Sequence, residues 1–245
     1  MPRSPRPPRA ETVTTLRLNR TAYERIRSAI VYGRLDFGEP LSETELARAL
    51  GVSKGPIRSA LVALQVKGLV EIVPQSGTYV FSATPEEIEQ LGDFRFLLES
   101  EAIRLSMQHA AATVVKELRR VVAGMTKAGA AGNRLQTKLL DTQFHEVFIH
   151  NCRNTYLQAS YETIGHTIDA LRYRVLDTIV YRNRALEEHE RMLDLLDQGE
   201  IAKAIVILRA HIERTKRFQA SVDWGGRRAR RKDYRFRNYK EALEG

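Results

Sequence analysis

One cysteine, Cys152, is the whole thiol complement of this 245-residue chain. A lone thiol makes no internal disulfide, no Cys-based zinc site and no iron–sulfur cluster, so any bound metal must draw on histidines and carboxylates. No apolar run reaches the roughly 18–20 residues that a membrane span needs. The Pro/Arg-rich start, Met1 to Arg9, also has no apolar segment of the kind that directs secretion. The expectation is a protein of the cytoplasm with no membrane partner. Glycine (15) and proline (8) are too scarce for a collagen-like or low-complexity chain, while 43% hydrophobic residues suffice for a core.

What is present in excess is positive charge, and it is unevenly placed. Residues 1–80 carry 12 Lys/Arg against 7 Asp/Glu, residues 81–220 carry 19 against 19, and residues 221–245 carry 8 against 4. The net charge of +9 therefore sits at the two ends. A basic module joined to a neutral one points to a polyanionic partner, for which nucleic acid is the common choice in the cytoplasm. Arginines that merely solubilise flexible ends are the plainer alternative.

Local signals divide the chain. Pro2, Pro5, Pro7 and Pro8 alternate with Arg3, Arg6 and Arg9, and residues 1–17 read as a disordered basic arm. From Asn19 a helical period places Tyr23, Ile26, Ile30 and Val31 on one face, ending near Gly33. Ser42 and Glu45 have the spacing of a capping box, Leu46, Ala47 and Leu50 form a buried stripe, and Gly51 suits the helix end. Only Val52 separates that end from Ser53, placed to cap a third helix with Pro56 in its first turn and Ile57, Leu61 and Leu64 as its stripe. Leu69–Val73, the turn Pro74–Gly77 and Thr78–Phe81 read as a hairpin. Helix, helix, tight turn, helix and hairpin make a winged helix-turn-helix, in which a helix enters the major groove of DNA and the wing reaches phosphate or the minor groove. A protein-contact module is the alternative use of such a unit.

Beyond the hairpin the pattern is helical. Thr84, Pro85 and Glu87 announce a long helix towards Ala110, and further helices are expected near 113–128, 135–150, 154–180, 183–198 and 201–219. The fold class is mainly α: an N-terminal winged helix-turn-helix, 18–82, then an all-α bundle of six or seven helices, 83–220, and a basic, flexible tail, 221–245.

The strings Leu41–Ala47, Leu50–Arg58 and Gly68–Val70 resemble the DNA-binding domain of the GntR family of bacterial transcription regulators. Arg95 to Glu99, Asp141 to His145, His189 and His211 give the bundle a resemblance to the effector domain of the FadR-like branch, the FCD domain. The resemblance spans about residues 20–220. It implies DNA contacts at Ser53, Lys54 and Arg58, with Thr44 on the preceding helix and Gly77 at the wing tip. Lys54 and Arg58 are four apart and share one face of their helix, opposite Ile57, Leu61 and Leu64. Lys54 stands where the family commonly has Arg, and lysine reads a base less specifically than a guanidinium fork. Ser59 replaces the Glu common after that arginine.

By spacing alone, Asp141 and His145 could be an ordinary ion pair, and His189 and His211, lying in apolar stripes, hydrogen-bonded core residues. The resemblance implies instead that Asp141, His145, His189 and His211 hold a divalent transition metal, with Zn first and Ni, Mn or Fe as alternatives. His109, His150 and His166 fit no ligand spacing. Arg95 lies among apolar neighbours and needs an anion, either Glu99 one turn on or the carboxylate of an effector. The resulting expectation is a homodimeric, non-enzymatic regulator that binds a double-stranded DNA operator under control of a small carboxylate effector. Its rivals are a regulator for which the metal is the signal and a metal-dependent hydrolase, the latter without a recognisable nucleophile or general base.

Overall fold

The structure is a computed structural model and describes residues 10–222 and 239–244. Among these residues the chain is mainly helical, with one small sheet, and it divides into two compact units. The first holds the residues up to Ser82 together with the C-terminal helix. The second runs from Ala83 to Asp223.

In the first unit α1 spans Ala10–Val31, β1 Pro40–Leu41, α2 Glu43–Leu50, α3 Lys54–Val66, β2 Val70–Val73 and β3 Gly77–Val80. Ile26, Ile30, Leu46, Ile57, Leu61 and Leu64 meet in its core, so the stripes of α1, α2 and α3 all point to one interior. The hairpin pairs Val70 with Val80 and Val73 with Gly77, and β1 adds an antiparallel edge through Pro40 and Tyr79. That third strand was not expected from the sequence, because two residues carry no readable alternation.

Three expectations need correction here. First, α1 starts at Ala10, within the stretch read as an unstructured arm; the prolines end at Pro8, and no Pro or Gly interrupts Ala10–Val31. Residues 1–9 of that arm lie outside the described residues. Second, Ser53 has N-cap backbone angles but makes no side-chain cap hydrogen bond. Third, residues 239–244 of the tail form a helix, α9 (Tyr239–Glu244), in which Tyr239, Ala242 and Leu243 are buried. Residues 223–238, including the Arg227–Lys232 cluster, lie outside the described residues.

The second unit is a bundle of α4 (Pro85–Ala130), α5 (Arg134–Asn151), α6 (Thr155–Val175), α7 (Ile179–Asp197) and α8 (Ile201–Ser221). Thr84 opens α4 with a complete capping box: its hydroxyl accepts from the Glu87 amide at 3.2 Å, and its own amide donates to the Glu87 carboxylate at 2.7 Å. The two helices expected over 84–128 run as one element with a single non-helical residue, Ala110 (φ −151, ψ 34). No Gly, Pro or cap stands there to end the helix, so five helices are found where six or seven were expected. α6 stops at Val175, short of 180, where Arg182 donates to the carbonyls of Leu176 and Asp177 at 2.7 Å each. Phe144, Phe148, Met192, Leu208 and Ile103 fill the core between these helices.

Candidate functional site

The winged unit presents its sequence-predicted contacts outward. Ser53 at the N-cap of α3 and Lys54 and Arg58 on its first turns are exposed, Thr44 is exposed on α2, and Gly77 is exposed at the wing tip. The opposite face of α3, Pro56, Ile57, Ala60, Leu61 and Leu64, is buried, which fixes which side chains can face outward. Arg58 is not a loose side chain. Its Nε donates to Glu43 Oε1 at 3.2 Å and its Nη2 to Glu43 Oε2 at 2.9 Å, a two-pronged pair that holds the guanidinium in one orientation. Sequence reasoning did not single out Glu43, fifteen residues away on another helix.

In the bundle, four helices converge on a buried polar cluster. α5 supplies Asp141 and His145, α7 His189, α8 His211, and α4 Arg95 and Glu99, all buried. The ring centroids of His145, His189 and His211 form a triangle with sides of 5.1, 5.1 and 5.3 Å, and one ligand nitrogen from each lies within 4.8 Å of the others. Asp141 Oδ1 is 3.8 Å from His189 Nδ1. The Phe144 ring stacks on that of His189 at 3.9 Å and holds it in place.

Carboxylates hold one nitrogen of His145 and one of His211, whereas neither nitrogen of His189 has a hydrogen-bond partner. His145 Nδ1 lies 2.9 Å from Glu99 Oε2, and His211 Nδ1 2.8 Å from Glu188 Oε2. A carboxylate on one ring nitrogen selects the tautomer whose other nitrogen carries a lone pair. Four buried atoms in the cluster have no hydrogen-bond partner: Asp141 Oδ1, both nitrogens of His189, and His211 Nε2. Burial lowers the proton affinity of all three histidines, which favours the neutral ring that a metal ligand requires. Burial alone would raise the Glu99 carboxyl, but Arg95 and His145 outweigh it and hold it well below its usual range. Glu188, against the same effect of burial, is brought down to about 2 by His211 and Arg214. Three buried imidazoles with orphaned nitrogens on His189 and His211 could hold a divalent transition metal; Asp141 is not among the residues whose ligand atoms all lie within 4.8 Å of one another, although its Oδ1 approaches His189.

The structure brings Arg95 to this cluster, paired as the plainer alternative has it. Its Nε donates to Glu99 Oε1 at 2.8 Å, while Nη2 lies 3.3 Å from His145 Nε2. Besides Glu188, two further groups of the cluster, both on α6, are not singled out by the sequence. Arg172 on α6 is buried, donating to Asp141 Oδ2 at 3.4 Å and to Asp169 Oδ1 at 3.3 Å. Tyr161 donates its hydroxyl to Glu99 Oε1 at 3.1 Å. The signal for Arg172 was its place in the stripe Ile168, Leu171, Arg172, Val175; Glu188 offers none beyond standing next to His189.

Two family profiles match the chain: the FCD domain over residues 90–214 and the gntR family of bacterial regulatory proteins over residues 18–80. The gluconate operon transcriptional repressor of Bacillus subtilis is 25% identical over 197 residues, 78% of this chain and 79% of that protein. The HTH-type transcriptional repressor RspR of Escherichia coli is 26% identical over 190 residues, 75% of this chain and 80% of that protein. In fold, a GntR regulator from Rhodococcus sp. RHA1 superposes with a TM-score of 0.71 at 20% identity, covering 83% of this chain and 97% of that one. These relatives are regulators and not enzymes, and no helix among the described residues is long and apolar enough to cross a membrane. The chain belongs to the GntR family of bacterial transcription regulators, with an N-terminal winged helix-turn-helix and a C-terminal FCD domain of the FadR-like branch.

Proposed function

We propose that this regulator is a repressor whose hold on a DNA operator is set by a small organic acid, bound in the helical unit against a divalent metal. The observation that carries the reading is the set of orphaned buried atoms on Asp141, His189 and His211, which no protein group satisfies. Leaving such atoms dry is costly, and a cation shared among them removes that cost. Zinc is the metal of choice for neutral imidazoles with one carboxylate, with nickel, manganese and iron as the other candidates. When bound, the metal supplies a Lewis-acidic contact for an anionic oxygen. Asp141, His145, His189 and His211 hold it, and Glu99 and Glu188 fix the rings of His145 and His211 from behind.

Arg95 is the second contact for the effector carboxylate, since a guanidinium offers two parallel donors to such a group. The cavity beside Arg95, lined by Gly92, Ile168, Leu171, Ile212 and Thr215, holds only about 20 Å³, room for a single water. An organic acid therefore needs the helices to part. That requirement gives the effector unequal affinity for two arrangements of the bundle, which is the source of control over DNA binding.

The working unit is a homodimer. Leu97 on α4 and Val206 on α8 are 62% and 66% exposed, and Phe94 stands one turn before Leu97. These apolar residues are of the kind a second copy covers. In each protomer Thr44, Ser53, Lys54, Arg58 and Gly77 face the operator. A thermal-shift screen of hydroxy, keto and sugar acids, run with and without chelator, tests the reading. Stabilisation by an acid that disappears with chelator supports it, and stabilisation by metal alone with indifference to every acid makes the metal itself the signal.

A further inference from the structure

The C-terminal helix α9 lies outside both matched regions, 18–80 and 90–214, yet it is built into the DNA-reading unit. Six residues are too few to hold a helix in water, so α9 exists by virtue of what it packs on. Tyr239, Ala242 and Leu243, at the i, i+3, i+4 spacing of one helical face, are buried; Tyr239 is 2% and Leu243 1% exposed. Arg25 on α1 donates to the Leu243 carbonyl at 2.9 Å, satisfying an acceptor at the end of α9 that the short helix leaves open.

The other end of α9 meets the start of the helix-turn-helix. The Tyr239 hydroxyl donates to the Pro40 carbonyl at 2.7 Å and accepts from the Ser42 amide at 3.4 Å. Ser42 is the N-cap of α2, and in a complete capping box its amide would go to the carboxylate of Glu45. Only half of that box forms: the Glu45 amide donates to the Ser42 hydroxyl at 3.3 Å, but the Glu45 carboxylate pairs with Arg48 at 2.7 Å. At Thr84, by contrast, the same motif closes on itself. At Ser42 the tyrosine takes the place the carboxylate vacates. Glu43, which grips Arg58, and Thr44, which faces outward, are the next two residues.

We propose that α9 is a component of the DNA-reading unit and that Tyr239 is a positioning residue. It fixes the Pro40–Ser42 junction and so the start of α2, and through Glu43 it sets the orientation of Arg58. The basic tail thus has a structural end, anchored on the helix that precedes the recognition helix.

The test uses the full chain in two variants that keep every Lys and Arg. Tyr239→Phe removes the hydroxyl and retains the ring, and Leu243→Asp undocks the helix. Two quantities are read: amide hydrogen exchange at Ser42 to Leu46, and affinity for a duplex selected from a random pool by the wild-type protein, against affinity for the unselected pool. Both variants should exchange faster at Ser42, by about tenfold for Tyr239→Phe, the order expected for loss of one hydrogen bond. Affinity for the selected duplex should fall while affinity for the pool stays within about twofold, since phosphate contacts are untouched. Unchanged exchange at Ser42 and unchanged preference in both variants overturn the proposal. Equal losses on selected and unselected DNA overturn the positioning role as well, because they mark general destabilisation of the unit. Should Leu243→Asp fail to fold, Tyr239→Phe decides alone.

Discussion

Arg95 Nη2 lies 3.3 Å from His145 Nε2, the ring nitrogen left open by the Glu99 contact on Nδ1. A guanidinium and a metal ion cannot both occupy that lone pair. On the proposed reading, a metal held at His145 Nε2 would displace Arg95 Nη2 from that nitrogen and leave it available to an effector carboxylate. Glu99 anchors Arg95 through Nε at 2.8 Å and, more loosely, through Nη2 at 3.5 Å.

Arg95→Lys keeps a cation for Glu99 but loses the fork, so the response to an organic acid should weaken while operator binding by the effector-free protein stays unchanged. Arg95→Ala is a different experiment. It leaves the buried Glu99 carboxylate without its main cation and should lower stability by about 3–5 kcal/mol in urea denaturation. A fully retained acid response in Arg95→Lys leaves Arg95 with its structural pairing to Glu99 only.

Glu188 Oε2, 2.8 Å from His211 Nδ1, sets which nitrogen of that ring faces the cluster. Glu188→Gln should lower zinc affinity by about 10–100-fold, as loss of such an outer carboxylate does elsewhere. Competition with a chromophoric chelator measures this directly, and circular dichroism checks that the helices persist.

Stability of the metal-free chain should fall as the medium is acidified below about pH 6.5, the usual histidine range. The sign follows from His145, His189 and His211, whose proton affinities are lowered by burial in the folded state. Below that pH the unfolded chain takes up protons that the folded chain binds less readily, at no more than about 1.4 kcal/mol per pH unit for each histidine. Glu99 and Glu188, held low in the fold, add a second loss below about pH 4.3, where their unfolded forms protonate. Urea midpoints at pH 7.5 and 5.5 provide the check. A flat profile across that interval would mean that the histidines are charged in the fold.

Arg58→Ala should cost about 1–3 kcal/mol on a preferred duplex and relax the choice of base at one position, while affinity for random DNA changes little. Glu43→Gln should act in the same direction and more weakly, because it releases the Arg58 fork without removing it. Binding should weaken steeply with salt, with a slope of roughly −0.9 per phosphate neutralised. Equal losses on all sequences would make Arg58 a phosphate contact.

How far the sequence foretold these features depends on the distance over which each is determined. The capping box at Thr84 and the left-handed Gly51 (φ 64) are set by residues within a few positions of one another, and both were legible. The half-made box at Ser42 was not, because the group that completes it, the Tyr239 hydroxyl, stands 197 residues away in sequence. The same holds for the histidines. His145, His189 and His211 sit on three helices, and no spacing rule links them; a family resemblance did, and the packing of α5, α7 and α8 supplies the physical reason. Arg172 was readable as a charge in an apolar stripe, but its partner Asp141 lies on a neighbouring helix, so the pairing needed the fold.

Metal analysis of the full-length protein, stripped with chelator, reloaded with zinc and passed through gel filtration, is the most direct measurement. Retention of about one zinc per chain is expected, absent from His189→Ala, with a melting temperature that rises on loading in the wild type alone. Retention of less than about a tenth of an equivalent, with no change in melting temperature, would contradict the metal centre and with it the proposed mode of effector binding.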